Sequence, residues 1–394
     1  MEANEKVNLI DRGEAEYFHG REEEIELVKN MLALSKQKGK GISLLIQGPP
    51  GVGKTALLWE LRKIGKDLKW DIRKMNFEAL WNREELYRVL VRDKKYEKNF
   101  KEWGWDLKFL KRNIRQDKVV KGHSKIIEGI QKPIVLMLDE AQMIRVGLGS
   151  NQVKKGIAIE VLDQLHNLHL PQGLLFIMAG LGHTRKIFKD FEISRFNDDG
   201  VINLKPLHKK AERNILQDYL VQGAGISKKD PDLKHWIDRL SQESHQWPHH
   251  IICYGEVATQ KLKEGKGGLS ETVLSDVLKE GQRKKKNYYS GRFAELKDAQ
   301  IASIFQALFE NELQKNMISG SQVELDFERN PYIKDGEKLF NDIVARGVIQ
   351  IRPDGFYQIP IPSMRTWMLK EYQRYLHIMK QKPSPQIQKL FQSL

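Results

Sequence analysis

The sequence predicts an α/β fold: a parallel sheet, a helical region, then an α+β region. Three observations predict it. Short, mostly apolar runs at 42–46 (ISLLI), 133–138 and 174–179 recur between stretches of helical period, the alternation that builds a parallel sheet with helices on its faces. From 209 to 278 the period is helical, with no run that reads as a strand. Helical patterns after 293 give way to 347–360 (GVIQIRPDGFYQIP), a strand–turn–strand about Asp354-Gly355. A chain of 394 residues is long enough for two or three such domains, each with its own core.

The elements follow in order. Residues 1–16 are a polar arm. A helix is expected over 21–34, where Ile25, Val28, Met31 and Leu32 share one face, and the KQKGKG stretch ends it. Strand 42–46 follows, then a helix through 56–64 and a strand within 70–77. A long polar, helix-prone stretch rich in Lys and Trp fills 80–130. Strand 133–138, a helix over 157–170 and strand 174–179 complete the α/β part, so that 17–205 forms one domain and 206–280 a helical lid. Residues 281–292 (GQRKKKNYYSGR) read as a basic linker. Residues 293–380 have the helix, helix, helix, hairpin order of a winged-helix domain, and 381–394 are a Pro-broken tail.

The strongest motif is GPPGVGKT, Gly48 to Thr55, between an apolar strand and a helix. It matches the P-loop pattern, which makes the α/β part a P-loop NTPase sheet. Gly48, Gly51 and Gly53, with Pro49, Pro50 and Val52 between them, let the backbone turn its N–H groups toward phosphate oxygens. The helix N-terminus through Ala56 adds a positive dipole end. Lys54 reaches the β- and γ-phosphates, and Thr55 offers a hydroxyl to Mg²⁺. A second strand ends in Asp139-Glu140 (PIVLMLDEA). Ligands sit at the carboxyl ends of strands in open α/β sheets. Asp139 is placed to hold Mg²⁺ through its water shell and Glu140 to polarise an attacking water, which favours turnover over binding alone.

With these motifs in place the chain resembles the AAA+ ATPases, in the branch near the origin-recognition and helicase-loading, transposition and STAND-like ATPases. Two further stretches carry the resemblance. YFHGREEEIELV, with Phe18, Gly20 and Arg21, is similar to the family's Gly-Arg-Glu box. FEISRF is similar to its Ser-Arg-Phe box. The resemblance spans about residues 14–280 and implies ATP as the nucleotide, adenine against the first box, and Arg195 as a finger reaching the γ-phosphate of a neighbouring subunit. An ATP-dependent homo-oligomer follows from that role; pairing of Arg195 with Asp198 or Asp199 is the plainer alternative. Two departures stand out. The fourth strand ends in Ala179-Gly180, where relatives carry a polar residue, leaving His183 or Thr184 as substitutes. In the lid, Trp247-Pro248 is followed by His249 where relatives carry an Arg, so His249 is either a phosphate donor or a packing residue. These departures imply slow or partner-dependent hydrolysis.

Charge and composition set the remaining expectations. The formal net charge is +14, and residues 61–125 hold 20 Lys/Arg against 10 Asp/Glu, whereas 293–394 hold 13 against 12. An excess of this kind favours polyanions such as DNA through counterion release. The candidate contacts are 94–125 and the cations and tyrosines of 283–292; a solvated helix face and a solvated hinge fit the same residues. The near-neutral C-terminal domain fits a role in docking a protein effector instead. A lone Cys253 excludes an intramolecular disulfide and a thiolate metal cluster. His166 and His169 are at i, i+3, but no carboxylate cluster makes a zinc site with them, and no Gly-x-Ser-x-Gly elbow is present. The apolar runs fall far short of a membrane span and the N-terminus lacks a signal pattern, so a cytoplasmic protein is expected.

Overall fold

A computed structural model describes residues 15–75, 77–82, 89, 132–144, 151–167, 171–191, 200–265, 268–315, 317–352, 354–378 and 382–392. The chain divides into two units. The first comprises Met1–Gln47, Lys54–Gly180 and Thr184–Leu204; the second comprises Gly48–Gly53, Leu181–His183 and Lys205–Leu394.

The first unit is built on a parallel sheet of β1 (Gly41–Gln47), β2 (Asp71–Met75), β3 (Ile134–Leu138), β4 (Leu174–Gly180) and β5 (Val201–Asn203), in the order β2-β3-β4-β1-β5. Every residue of β3 and β4 is buried. That is why these strands read as unbroken apolar runs: a parallel sheet is covered on both faces. Helices α1 (Glu22–Lys38), α2 (Lys54–Asp67), α3 (Gln152–Asn167) and α4 (Thr184–Asp190) accompany the sheet. Leu136, Leu138, Phe176 and Met178 from the strands pack with Val161, Leu162 and Leu165 from α3 in one core. Gly39 ends α1 in the left-handed conformation (φ 61°), as the KQKGKG stretch predicts. Ser35, fully buried, accepts from the Leu174 amide at 2.8 Å and donates to the Lys40 carbonyl at 2.6 Å, which ties α1 to the entrance of β4.

From Lys205 onward the second unit has helices α5 (Lys209–Asp218), α6 (Leu233–Ser244) and α7 (Pro248–Glu264) and the long α8 (Glu271–Ser290). Then come α9 (Asp298–Lys315), α10 (Gly320–Glu328) and α11 (Gly336–Ala345), the antiparallel pair β6 (Gln350–Ile351) and β7 (Tyr357–Gln358), and α12 (Pro362–Ile378) and α13 (Pro385–Gln392). A bridge from Ile318 to Tyr357 adds a third short edge to the hairpin. Phe305, Phe309 and Val323 are buried, and Tyr372 stacks on Phe309 with ring centroids 6.2 Å apart.

The expected linker at 281–292 is corrected by this arrangement. Residues through Ser290 are the C-terminal half of α8, and Gly291–Phe293 form one further turn. Gly281 is a packing residue: a Cβ there would run into the Tyr254 ring. Four residues apart on the same face, Lys285 and Tyr289 are both buried.

Candidate functional site

In the first unit, β1 ends at Gln47 and the chain re-enters as α2 at Lys54, so the GPPGVGKT motif sits where strand meets helix N-terminus. Lys54 is buried at 7% exposure. Thr55 donates its hydroxyl to Asp139 Oδ2 at 2.8 Å, and the other oxygen of Asp139 accepts from the Glu140 amide at 2.8 Å. Thus β3 delivers Asp139 to the first turn of α2, and the two residues expected at a Mg²⁺ ion are already paired. A hydroxyl and a carboxylate at hydrogen-bond distance form a hard-oxygen donor set suited to that ion. Among the described residues no cluster of three or more His, Cys, Asp or Glu could hold a metal, so water and ligand oxygens would complete its shell.

Glu140 is exposed and adopts the left-handed conformation (φ 54°), unusual for a residue with a side chain. Its carboxylate accepts from Gln142 Nε2, a buried amide on the short 3₁₀ turn Ala141–Met143. Gly180, at the end of β4, has to be glycine: an added Cβ would meet Thr184 Oγ1 and lie 3.0 Å from Gln142 Oε1. The expected substitute Thr184 is fully buried at this position, beside Gln142 rather than in the open. His183 is buried as well. At the other end of the motif set, Gly20 and Arg21 are both left-handed (φ 83° and 73°) and lead into α1. Arg21 is buried and pairs with Glu24 at 3.1 Å; burial pulls its pKa below the usual guanidinium range, against the opposing pull of Glu24. Phe18 is partly buried on the same approach. Arg195 and the basic segment 94–125 lie outside the described residues.

In the second unit, the turn Gly48–Gly53 meets the start of α7. Gly51 (φ 71°) accepts at its carbonyl from the His249 amide at 3.1 Å. A Cβ on Gly51 would lie 2.9 Å from His249 Cβ and 3.1 Å from Trp247 Nε1, and would collide with the Tyr288 hydroxyl. Gly53 faces the Pro248 ring. Local chemistry sets this meeting. His245 and Gln246 are both left-handed (φ 53° and 62°). The turn is held by Glu212 of α5, which is 1% exposed and accepts from Ser241 Oγ, Ser244 Oγ and the Gln246 amide. Pro248 then opens α7 at a position that needs no amide donor.

His249 stacks on Tyr288 with ring centroids 3.8 Å apart. Burial, and secondarily Arg292, pushes its pKa down to about 4. With that pKa it is an uncharged ring at neutral pH, packed against the turn. His250 is buried too, with its pKa lowered to about 3 chiefly by burial. Its Nδ1 faces the Ser244 carbonyl at 3.2 Å, which makes that nitrogen the donor. Nε2 then accepts from the Tyr289 hydroxyl at 2.8 Å, and Tyr289 also bonds Ser363 Oγ at 2.8 Å. A buried polar chain thus joins α7, α8 and α12.

Sequence reasoning assigned the cations and tyrosines of 283–292 to a polyanion contact. Arg283 pairs with Glu280 at 2.8 Å and Lys284 with Glu256 at 3.1 Å. Lys285 is buried and donates to the Glu243 carbonyl at 3.0 Å. Tyr289 is buried and Tyr288 faces Gly51, so neither ring is presented for base stacking. Lys286 is exposed and has no ion-pair partner among the described residues. The residues that reasoning passed over are Gln142 and Glu212.

No family model matches the chain, and no curated protein matches it. Solved structures do. The ORC2 protein of Aeropyrum pernix, in the structure of its ADPNP–ADP complexes, aligns at 11% identity with a TM-score of 0.52, covering 94% of this chain and 97% of that one. The ADP form of the same protein aligns at 11% identity and 0.51, covering 92% and 96%. The likeness is one of fold: a parallel α/β sheet carrying a P-loop motif, followed by a helical C-terminal region.

Proposed function

We propose that the chain binds ATP at Gly48–Ala56 and hydrolyses it, and that its ATP-bound form assembles with further copies on DNA or acts on a DNA-bound partner. One observation carries the nucleotide reading: the 2.8 Å hydrogen bond from Thr55 to Asp139, which brings the P-loop hydroxyl and the strand-end acid together within a P-loop fold. The ORC2 protein of similar fold is described in ADPNP–ADP complexes, which supports the same ligand class here.

Each residue then has a role set by its chemistry. The amides of Gly51 to Thr55 and the dipole of α2 face the phosphates, and Lys54 adds a full positive charge. Thr55 and Asp139 would hold Mg²⁺, which supplies charge neutralisation on the phosphate oxygens when bound. Glu140 accepts a proton from the attacking water. One of its carboxylate oxygens accepts from the amide of Gln142 and the other remains for that proton. Arg195, supplied by a neighbouring copy, completes the charge stabilisation. The net charge of +14, concentrated in 61–125, supports DNA as the polyanion.

A second reading, a nucleotide-controlled switch whose C-terminal winged helix docks a protein effector, is favoured by the pairing of Arg283, Lys284 and Lys285 within the lid. Lys54→Ala tests the shared premise: calorimetry should show ATP affinity lost with the fold retained, and wild-type affinity in that variant would sink the phosphate site. Mass photometry with and without ATP and duplex DNA separates the two readings. ATP-dependent assemblies that grow on DNA support the first, and their absence at low salt supports the second.

A further inference from the structure

A cavity of about 500 Å³ opens within the second unit between the C-terminal half of α8 and the N-terminal half of α12, with the turn before α7 on its third side. That is the size of a small-ligand pocket, for which roughly 300–1,000 Å³ is usual. Helix spacing brings two faces together here. Gln282, Lys286 and Tyr289 recur at four and three positions on α8, and Ser363, Thr366 and Lys370 at three and four on α12.

The charge around the cavity is one-sided. Its lining holds three lysines, Lys285, Lys286 and Lys370, against one carboxylate, Glu243. That carboxylate serves Lys285, whose Nζ lies 3.9 Å from it and donates to the Glu243 carbonyl at 3.0 Å. Burial holds the Lys285 ammonium below its usual pKa range, and the charge of Lys286 adds to that shift against the opposing pull of Glu243. Lys286 and Lys370 are exposed, one on each helix, and neither has an ion-pair partner among the described residues. The first turn of α12 also lines the cavity, which adds the positive end of a 17-residue helix. Two excess positive charges match a phosphate monoester, which carries roughly −1.5 to −2 at pH 7.

The rest of the lining suits a flat ring with polar edges. Trp367 is partly buried and packs on Tyr289 and Phe293, with ring centroids 5.6 and 5.9 Å apart. The Tyr289 hydroxyl gives its proton to His250 Nε2, so Ser363 donates to the Tyr289 oxygen and offers its own lone pairs to a ligand N–H or O–H. We propose that this cavity binds a nucleoside monophosphate, its phosphate between Lys286 and Lys370 at the start of α12 and its base against Trp367. A duplex is too wide for such a recess, and an internal phosphodiester carries one charge rather than two. The lining includes none of Gly48–Gly53, His249 or Arg292, so the proposal stands whether or not the P-loop motif holds ATP. An occupant joins α8 to α12.

The test is calorimetry on the full chain with AMP, GMP, CMP and UMP. At least one should bind saturably, and both its nucleoside and ribose 5-phosphate should bind about 10-fold more weakly or worse, since each lacks one half of the recognition. Lys286→Gln with Lys370→Gln should lower the mononucleotide affinity about 10-fold or more. Both lysines are exposed, so Tm without ligand should stay the same or rise, while the gain in Tm on adding the mononucleotide should shrink. Lys54→Ala should bind the mononucleotide like wild type, which separates this cavity from the P-loop motif. Four silent mononucleotides would overturn the proposal, and so would binding confined to a 5′-phosphorylated oligonucleotide. Equal affinity in the double variant, ribose 5-phosphate binding as tightly as the mononucleotide, or a loss in Lys54→Ala as large as that of the double variant would do the same.

Discussion

Glu212 offers the most direct test of how the turn before α7 is set. This carboxylate is buried at 1% exposure and accepts from two serine hydroxyls and from the Gln246 amide. Substituting alanine removes three charge-assisted bonds, worth roughly 1.5 kcal/mol each, or about 4–5 kcal/mol together. The serines recover part of that: Ser244 Oγ already lies 3.0 Å from the Leu240 carbonyl and can turn fully to it. The Gln246 amide has no such recourse, and two adjacent left-handed residues lose the group that holds them. The expected loss in unfolding free energy is therefore about 2–4 kcal/mol, with Glu212→Gln costing less because one acceptor oxygen remains. Urea unfolding measures it. A second effect follows, because the turn aims Trp247 and His249 at Gly51: ATP affinity should fall in both variants although neither touches the P-loop. A stability change within about 0.5 kcal/mol, the range of ordinary surface substitutions, would refute the reasoning.

Other expectations follow from the same geometry. Gly51→Ala combines a left-handed φ of 71° with a Cβ that lies 2.9 Å from His249 Cβ, so it should cost about 2–4 kcal/mol in urea unfolding; a neutral result would mean that α7 does not pack on the turn. His249 and His250, with pKa values lowered to about 4 and about 3, bind fewer protons folded than unfolded at pH values below the ordinary 6.5. Stability should therefore fall as pH drops from 6.5 toward 4, by up to about 1.4 kcal/mol per pH unit for each ring, and a double His→Gln variant should flatten that slope in unfolding curves taken at pH 7.5, 6 and 5. Mixing Arg195→Ala with Lys54→Ala subunits should restore turnover that neither has alone. Co-assembled mixtures that stay inactive would remove the trans-finger role.

What was legible in the sequence, and what was not, follows from which interactions are local. Strands β1, β3 and β4 show as apolar runs because a parallel sheet buries both faces. The P-loop shows because its glycines, lysine and threonine are consecutive. The partnership of Thr55 with Asp139 was legible from two motifs and one fold rule, although 84 positions separate them. Strand β5 was not: three residues, Val201–Asn203, carry no period of their own and are a strand only because β1 pairs with them. Helix α8 was misread at its second half because a lysine run with Gly281 looks solvated. Tertiary packing makes that stretch an interior face, with the Tyr254 ring on Gly281 and Lys285 bonded to the Glu243 carbonyl. His249 was open between donor and packing roles, and what the sequence could not report is the burial beside Arg292 that lowers its pKa to about 4. No pattern in the sequence reports two successive left-handed residues at His245 and Gln246, because their holder, Glu212, lies a helix away.

In the first unit the groups assigned to chemistry are bonded to one another, Thr55 to Asp139 and Glu140 to Gln142. Neither bond stands in the way of a ligand. The Thr55 hydroxyl donates its proton and keeps an oxygen lone pair for a cation, and Asp139, which accepts that proton, can meet the same cation through its water shell. Glu140 uses one carboxylate oxygen on Gln142 and keeps the other for a water. The bonds orient these side chains rather than consume them, and side chains already held in one rotamer lose less freedom when a ligand binds.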